Sequence, residues 1–406
     1  MIPRLKPYLR WQEVLTIFKS QKNSVALFEK AFAEQFKTRH AIAFPYGRSA
    51  LWAFLKAHDI SNAEIIQPAY TCSVVAHATV LSGNKPVFVD CNLSDYNMDL
   101  TKLAAAITAE TRAVIPTHIF GNPMDVNAVN AIVAKAEKKF GHKIMVIQDC
   151  AHSFGASFQE RSVINAGDCA IFGLGISKLI TSIFGGMFTT DDDDIANNIR
   201  VFRDREFHKV GLIKTARRYL YLLAIYPAFA NIFYGLVYWL QEKTPFLNQL
   251  TKAYHLDEKI HFPPDYIDLM TNIEAAVGIE QLKKYPTIIS RRRETANAYF
   301  VHDPNDPQFI FPPHTKGATY SHFAIRTDLR DQTMAYFAAH GIQLGYLIEY
   351  SMPHHPAYKV YAKGQTFPNA LKCSQSMINL PIHPDLKTKH IKNIISSLEN
   401  TLADEK

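Results

Sequence analysis

Residues 143–149 read KIMVIQD, four apolar side chains in a row that lead to an aspartate. A short apolar run of this kind is typical of a strand buried in a parallel sheet. Strand-like runs also occur on both sides of it, and helical patterns separate the earlier ones, as at 101–107, capped by Asp99, and at 126–139. This alternation predicts an α/β fold with a mostly parallel central sheet. The other predicted strands are 63–68, 85–90, 112–120, 169–174 and 185–190.

The pattern divides the chain into three predicted parts. Residues 1–24 form an N-terminal arm, residues 25–285 a large α/β domain, and residues 286–406 a smaller C-terminal α+β domain. Within the large domain, residues 207–262 form an apolar insertion. Its central part, residues 219–240 (YLYLLAIYPAFANIFYGLVYWL), carries no formal charge over 22 residues. That length is enough to cross a bilayer as one helix.

The composition excludes several classes of protein. With 48% hydrophobic and 20% charged residues, the chain is typical of a folded protein and not of a disordered one. The net charge of +7 is scattered and no nucleic-acid-binding motif is present. There is no CxxC pair and no signal-peptide pattern, so we expect a cytoplasmic protein with reduced thiols and no metal site. The cysteines are Cys72, Cys91, Cys150, Cys169 and Cys373.

Residues 172–186, FGLGISKLITSIFGG, hold a single cation, Lys178, among uncharged residues. An ammonium group in apolar surroundings is costly unless it is paired or loses its proton. Such a lysine is often structural, with its stem along apolar surface and its amine in water. A desolvated amine is also the nucleophile that condenses with a carbonyl group. The glycines that follow, Gly185 and Gly186, would let the backbone approach a ligand closely.

Asp149 and the residues Gly47, Arg48 and Ser49 are further candidates. A carboxylate at the end of an apolar strand needs a positive partner, such as a protonated pyridinium nitrogen, although an aspartate there is also a common helix cap. Gly47, Arg48 and Ser49 open a helix-like run, where free N–H groups and the helix dipole favour an anion; Ser49 could also simply cap this helix. A lysine, an acid and an anion cradle together meet the requirements of pyridoxal phosphate.

Sequence blocks along most of the chain, from about residue 25 to 400, resemble one known family. They include IIQPAYTC (65–72), GNKPVFVDCN (83–92), VIQDCAHSFGA (146–156) and NLPIHPDL (379–386). In this order the blocks are similar to those of the DegT/DnrJ/EryC1/StrS sugar aminotransferases, which are fold-type-I enzymes dependent on pyridoxal 5'-phosphate. The resemblance implies an aspartate-aminotransferase-like fold with a smaller C-terminal domain, and a homodimer.

The resemblance also assigns roles to the candidate residues. It implies that Lys178 forms the Schiff base with the cofactor and that Asp149 binds the pyridinium nitrogen. It places His152 near the cofactor's phenolic oxygen, and Gly47, Arg48 and Ser49 at its phosphate.

The chain departs from the family at several of these positions. Cys72 stands where the family has an aromatic residue against the pyridine ring, with Tyr70 as an aromatic alternative. Gly173 replaces a serine of the family, which gives Ser177 or Arg48 more of the phosphate contact. The family's asparagine and arginine before the Met-Thr pair correspond to two apolar residues here, Ile267 and Leu269.

By this resemblance, the predicted activity is transfer of an amino group, with glutamate as donor, to a keto sugar linked to a nucleotide, in cell-surface glycan biosynthesis. Two alternatives remain open. One is lyase or dehydratase chemistry on the same cofactor, although the known dehydratase relatives lack the lysine. The other is a membrane-docked protein that binds the cofactor without turnover.

Residues 219–240 lie outside the resemblance. Pro227 and Gly235 favour a broken helix or a helical hairpin. The basic residues Lys214, Arg217 and Arg218 precede this segment and would meet anionic lipid. We therefore expect it to attach the protein to the cytoplasmic face of the membrane, with burial against a partner subunit as the alternative.

Overall fold

The structure is a computed structural model that describes residues 1–19, 21–228, 259–303 and 308–403. Its centre is a seven-stranded sheet. A two-stranded hairpin, β6 (Ser157–Phe158) and β7 (Arg161–Ser162), lies outside that sheet. The strands of the central sheet are β1 (His40–Phe44), β2 (Glu64–Pro68), β3 (Lys85–Val89), β4 (Thr111–Val114), β5 (Met145–Asp149), β8 (Cys169–Gly173) and β9 (Gly186–Thr190).

The strand order in this sheet is β1-β9-β8-β5-β4-β2-β3. The pairs from β8 to β3 are all parallel, whereas β9 runs antiparallel to both of its neighbours, β1 and β8. The predicted α/β architecture with a mostly parallel sheet is therefore confirmed. In such a sheet the carboxyl ends of several strands meet at one edge, where ligands bind.

Nine helices accompany this sheet in the described part of the chain up to residue 228. Asp99 caps the sixth of them, because its carboxylate accepts hydrogen bonds from the N–H groups of Thr101 and Lys102 at 2.8 and 3.0 Å. The predicted cap is therefore confirmed. The helices are α1 (Trp11–Val14), α2 (Thr16–Lys19), α3 (Ser24–Phe36), α4 (Gly47–Ala57), α5 (Ser73–Leu81), α6 (Leu100–Ala106), α7 (Val126–Phe140), α8 (Asp193–Glu206) and α9 (Leu212–Ala228).

Both faces of the sheet are buried, as the alternation along β1 shows. Ala41 and Ala43 belong to a core that includes the aromatic face of α3, whereas Ile42 and Phe44 belong to a core that includes α4. Successive side chains of a strand point to opposite faces, so a strand with helices on both sides is apolar throughout. This double burial explains the continuous apolar runs in the sequence.

The predicted strand 112–120 is too long. The strand β4 ends at Val114, and a 3-10 turn at Ile119–Gly121 follows. Pro116 has no N–H group to donate to a ladder, and only an isolated bridge from Thr117 to Asp149 continues the pairing. The chain therefore leaves the sheet here and passes beside the end of β5.

The C-terminal part begins with a long helix that crosses the predicted boundary at residue 285. This helix continues to Val301 with Pro286 inside it, so the two predicted domains share one rigid element. The division into residues 25–285 and 286–406 stays a prediction. The elements are α10 (Asn272–Val301), β10 (Phe323–Arg326), α11 (Arg330–Ala339), α12 (Pro368–Ser376), β11 (Met377–Leu380) and α13 (Thr388–Ala403), with β10 and β11 paired antiparallel.

The N-terminal arm docks on the C-terminal part of the chain. The N–H of Ile2 donates to the carbonyl of Gly341 at 2.7 Å. Further along, Lys6 Nζ lies 3.0 Å from Asp385 Oδ2, and Arg10 also pairs with this carboxylate. The arm is therefore fixed by both backbone and charged contacts.

Only the first part of the apolar insertion lies within the described residues. Helix α9 contains Pro227 near its end, while Gly235 and the rest of the apolar run fall outside those residues. Leu222 is fully buried, whereas Leu212, Ile213 and Leu220 are 88%, 75% and 62% exposed. Helix α9 thus presents one face to the protein and leaves several apolar side chains at the surface.

The basic residues of α9 correct one expectation. Lys214 and Arg218 turn toward the protein, where they form ion pairs with Asp265, and only Arg217 of the three predicted lipid contacts is exposed. Within the described ranges, no helix combines the length and the apolar character needed to span a membrane.

Candidate active site

A cavity of about 370 Å³ lies where β5 and β8 end and α4 begins. It brings together seven of the eight predicted site residues, which come from four separate parts of the sequence. The exception is Ser49. The seven are Gly47, Arg48, Cys72, Asp149, His152, Ser177 and Lys178.

Asp149, the last residue of β5, is 5% exposed. Its Oδ1 accepts a hydrogen bond from the N–H of Ala151 at 3.1 Å, and its Oδ2 accepts one from Thr117 Oγ1 at 3.4 Å. Burial raises the pKa of Asp149, while the Ala151 hydrogen bond and the charge of Lys178 oppose this. A cationic group in the cavity would therefore stabilise the carboxylate form.

Lys178 lies in the connection between β8 and β9, held by a 3.0 Å hydrogen bond from its N–H to the carbonyl of Gly175. Burial of the amine lowers the pKa of Lys178, the charges of Cys72 and Asp149 raise it, and the charge of Arg48 lowers it further. The lowered pKa increases the fraction of neutral amine, which is the nucleophilic form.

His152 is buried beside the 3-10 turn that follows β4. Its Nδ1 accepts a hydrogen bond from the N–H of Phe120 at 3.3 Å, and the two rings stack at 8° with centroids 6.2 Å apart. Burial and the charge of Lys178 hold the pKa of His152 well below its ordinary value. The ring is therefore neutral near pH 7, and its proton resides on Nε2 because Nδ1 is an acceptor.

The first turn of α4 approaches the cavity through its backbone. A Cβ on Gly47 would lie only 2.7 Å from the carbonyl oxygen of Phe172, so the close packing of α4 on β8 requires glycine here. The guanidinium carbon of Arg48 lies 5.5 Å from the centre of the Tyr46 ring. Because the first N–H groups of a helix lack intrahelical partners, this turn can bind an anion.

The Ser49 side chain does not reach the cavity. Its Oγ donates a 2.6 Å hydrogen bond to the carbonyl of Tyr266, and the residue is fully buried. The hydroxyl therefore links α4 to the segment around residue 266. The N–H of Ser49 donates to the carbonyl of Tyr46 at 3.1 Å, so both its hydroxyl and its N–H already have partners.

Two other expectations are corrected by the packing. Tyr70 is fully buried and donates to the carbonyl of Ile348 at 3.1 Å, so the cavity side of this segment is formed by Cys72 and not by an aromatic ring. A Cβ on Gly186 would lie 2.3 Å from the N atom of Gly47, so this glycine allows two backbones to meet, and not a backbone and a ligand.

Sequence reasoning missed many of the other residues that line the cavity. These residues come from the position before α4, from α5, from the connections after β4 and β8, from residues 261–263 and from the C-terminal part. Tyr46 had a signal, because it directly precedes the glycine that opens α4, whereas the others had none. They include Tyr46, His77, Thr117, Phe184, His261, Pro263, Leu347, Glu349 and Tyr350.

The sequence matches the DegT/DnrJ/EryC1/StrS aminotransferase family over residues 10–225 and 254–399. These two stretches contain every residue of the strand-end part of the cavity. The chain belongs to this family.

Curated relatives match this aminotransferase along most of their length. The spore coat polysaccharide biosynthesis protein SpsC of Bacillus subtilis is 26% identical, over 94% of this chain and 90% of the relative. The GDP-perosamine synthase of Caulobacter vibrioides is 28% identical, over 92% of this chain and 89% of the relative.

Solved structures of aminotransferases share the fold. The sugar aminotransferase CalS13 from Micromonospora echinospora has a TM-score of 0.78 at 18% identity, covering 98% of this chain and 100% of that chain. At this identity the likeness concerns the fold alone, and it confirms the predicted fold type I.

Pyridoxal 5'-phosphate is the cofactor of this aminotransferase family, and the cavity has the groups that it requires. The buried carboxylate of Asp149 lacks a cation in hydrogen-bond contact among the described residues, and a protonated ring nitrogen would supply one. Lys178 offers an amine of lowered pKa for the aldehyde. The first turn of α4, with Arg48, offers N–H groups and positive charge for the phosphate.

Proposed function

We propose that this aminotransferase moves an amino group from glutamate to a keto sugar that is linked to a nucleotide, in cell-surface glycan biosynthesis. One observation carries the proposal. The amine of Lys178 and the buried carboxylate of Asp149 share one cavity, and the anion-binding end of α4 closes it on another side. No feature of the described residues favours the lyase or the non-catalytic alternative over this one.

The cavity residues divide the work of amino transfer. When bound, pyridoxal phosphate supplies an aldehyde for amine exchange and a ring that withdraws electrons. Asp149 would hold the ring nitrogen and keep it protonated. Lys178 Nζ would move a proton from the amino-bearing carbon of the donor to the cofactor's C4′ in the first half-reaction, and from C4′ to the acceptor carbon in the second, acting as general base and acid. His152 would donate from Nε2 to the phenolic oxygen.

A keto sugar suits other residues of the cavity lining. Glu349, Tyr350, His77 and His261 give the cavity hydrogen-bonding groups for sugar hydroxyls, and Leu347 adds an apolar surface. The names of relatives support the acceptor class, since one is a GDP-perosamine synthase and another a dTDP-3-amino-3,6-dideoxy-alpha-D-galactopyranose transaminase.

The visible spectrum of the purified protein tests this function. We expect a band from bound pyridoxal phosphate that glutamate converts to the band of the amine form, and that a nucleotide-linked keto sugar restores. Candidate keto sugars can then be ranked by the rate of restoration. A bound cofactor whose spectrum no amino donor changes would contradict the proposed activity.

We further propose that the protein is a homodimer, as the family resemblance implies. The apolar side chains that α9 leaves at the surface are consistent with a further contact, either with a partner or with lipid. Sedimentation of the holoenzyme together with an activity assay tests this proposal. A monomer with full activity would contradict it.

We also propose that the α9 region attaches the protein to the cytoplasmic face of a membrane. The surface residues Leu212, Ile213 and Leu220 precede or fall within the uncharged run, and Arg217 beside them is exposed. Replacing the three apolar residues with serine should reduce binding to vesicles that contain anionic lipid. Val360→Ser is the matched control, because Val360 is 76% exposed on another part of the chain.

The same experiment separates lipid from protein as the occupant of this surface. Loss of vesicle binding in the triple variant alone supports the membrane proposal. If the intact protein ignores vesicles at low salt, the proposal is wrong. If, in addition, the triple variant no longer dimerises, the surface is a subunit interface.

A further inference from the structure

The guanidinium group of Arg218, on α9, contacts three parts of the chain that are far apart in the sequence, at residue 46, at residue 184 and at residues 265–274. Its Nη2 donates to Asp265 Oδ2 at 2.7 Å and to the hydroxyl oxygen of Tyr46 at 3.3 Å. Its Nε lies 3.0 Å from Glu274 Oε1, and its Cζ lies 4.0 Å from the centre of the Phe184 ring. One side chain thus ties the insertion to α4, to α10 and to the connection between β8 and β9.

Asp265, the carboxylate that pairs with Arg218, also pairs with a second cation of α9. Lys214 Nζ, one turn earlier on α9, lies 2.9 Å from Asp265 Oδ2 and 2.8 Å from Asp268 Oδ2. Burial alone would raise the pKa of Asp265, but hydrogen bonds from Lys214 and Tyr46 and the nearby cations hold it below the ordinary value. The carboxylate is therefore ionised, and the segment that carries it is held against α9.

Tyr46 transmits this constraint to α4. It is the N-cap residue of the helix, and its carbonyl accepts hydrogen bonds from the N–H groups of Ser49 and Ala50 at 3.1 and 3.2 Å. Its hydroxyl donates to Asp265 Oδ1 at 2.8 Å, while Ser49 Oγ donates to the carbonyl of Tyr266. The first turn of α4 is thus tied at two points to residues 265 and 266.

Arg218 itself is not among the residues that line the cavity, whereas Tyr46 and Phe184 are. Its charge is matched locally by Asp265 and Glu274, so its direct electrostatic effect on a ligand in the cavity is small. The effect of Arg218 on the cavity is therefore to position other side chains. Arg218 holds the ring of Tyr46 and the ring of Phe184 in place on one side of the cavity.

We propose that Arg218 is a positioning residue, which holds the first turn of α4 in the orientation that binds the cofactor's phosphate. The inference rests on pyridoxal phosphate as the cofactor in the proposed function. It gives the insertion a role in the active site, since α9 carries both Arg218 and Lys214.

The test compares pyridoxal phosphate with pyridoxal, which lacks the phosphate. Arg218→Ala should weaken the binding of pyridoxal phosphate about tenfold or more, since a hydrogen bond to a charged group contributes about that factor. It should leave the binding of pyridoxal unchanged within about twofold. Arg217→Ala is the matched control, because Arg217 is the next residue on α9, is exposed and has no ion pair with any described residue. That variant should bind both compounds like the wild type.

Three further variants make the test robust. Tyr46→Phe removes only the hydroxyl that meets Asp265 and Arg218, and it should weaken pyridoxal phosphate binding in the same selective way even if Arg218→Ala folds poorly. Because both changes act through one contact, the double variant should lose little more than either single one. Arg218→Lys should restore part of the affinity.

The outcomes are distinct. Selective loss for the phosphate compound in Arg218→Ala or Tyr46→Phe supports the inference. Wild-type affinity for pyridoxal phosphate in a folded Arg218→Ala variant overturns it. Equal weakening for both compounds also overturns it, because that result shows a general loosening of the fold. Failure of the wild type to take up pyridoxal phosphate would instead refute the proposed function.

Discussion

Two sides of the cavity differ in how the chain builds them. The strand-end side consists of Asp149, which ends β5, and of His152 and Lys178, which follow β5 and β8 by a few residues. The insertion side consists of Tyr46 and Phe184, which line the cavity and are held in place from outside it by α9, above all by Arg218. The first side depends on the sheet, and the second on ion pairs between segments that are distant in sequence.

The strand-end side carries the reacting groups, whereas the insertion side holds other residues in position. Each group on the strand-end side has a pKa that is shifted by burial, upward for Asp149 and downward for Lys178 and His152. Such shifts are characteristic of residues that take part in reactions. On the insertion side, Arg218 and Asp265 are paired with each other and hold other groups in place. We therefore expect changes on the strand-end side to affect the rate of reaction, and changes on the insertion side to affect cofactor affinity.

The largest effect is expected for Lys178→Ala. Without the amine, the variant should lose the visible band of the bound cofactor and all transfer from glutamate, measured as formation of 2-oxoglutarate. Lys283→Ala, which removes an exposed lysine on α10, is the control and should keep both. Transamination that persists in Lys178→Ala would show that the strand-end side does not carry the reacting amine.

Asp149→Asn should have the next largest effect. The amide keeps the shape of the side chain but cannot stabilise a proton on the ring nitrogen, so turnover should fall about a hundredfold or more, a barrier increase of about 3 kcal/mol. Cofactor binding should persist, because the phosphate site is untouched. Near-normal turnover would mean that Asp149 is only a cap at the end of β5.

The pH dependence of cofactor uptake tests another property of the strand-end side, the lowered pKa of Lys178. An ordinary lysine has a pKa of about 10.4. Because burial lowers the pKa of Lys178, its amine becomes neutral at a lower pH than this. The rate at which the apoprotein takes up pyridoxal phosphate should therefore rise with pH and level off below that value. A midpoint at or above the ordinary pKa would contradict a desolvated amine.

The smallest effect is expected outside both sides, at the N-terminal arm. Burial alone would raise the pKa of Asp385, but hydrogen bonds from Arg10 and Lys6 outweigh it and hold the pKa below its ordinary value. The ion pairs of Asp385 with Lys6 and Arg10 therefore contribute stability at pH values above the unfolded pKa of Asp385, about 3.9. This contribution is lost as the pH falls through the lower folded pKa.

Asp385→Asn should therefore lower the free energy of unfolding by about 1–2 kcal/mol near neutral pH, with little change in turnover per folded molecule. Chemical denaturation of the two proteins at a series of pH values measures this. The difference should shrink in acid. A difference that is the same at pH 7 and pH 2 would rule out the ionised pair as its source.

The strand-end side could be predicted from the sequence because its signals are local. An apolar run that ends in Asp149 and a single lysine among uncharged residues both survive in the linear chain, and the family blocks extend them. The direction of β9 could not be predicted in this way. Its pairing with β1 joins residues about 150 positions apart, such as His40 and Thr190, and no local pattern records that register.

The ion pairs of the insertion side could not be predicted from the sequence, for a related reason. Lys214 and Arg218 look like a basic flank for lipid until Asp265 and Glu274, some fifty residues later, are placed beside them. In the same way Ser49 looks like an anion ligand until Tyr266 receives its hydroxyl. Polar contacts between distant segments depend on tertiary structure, so a sequence shows the groups but not their partners.

The central claim is that Lys178 is the residue that reacts with the cofactor. Reduction of the holoenzyme with borohydride, followed by trypsin digestion and mass spectrometry, tests it directly, because reduction makes a lysine–pyridoxal phosphate bond permanent. Trypsin does not cut at a modified lysine, so the adduct should appear on the peptide that spans residues 162–200, with Lys178 uncleaved. An adduct on any other lysine, with residues 162–178 released unmodified, would contradict the account.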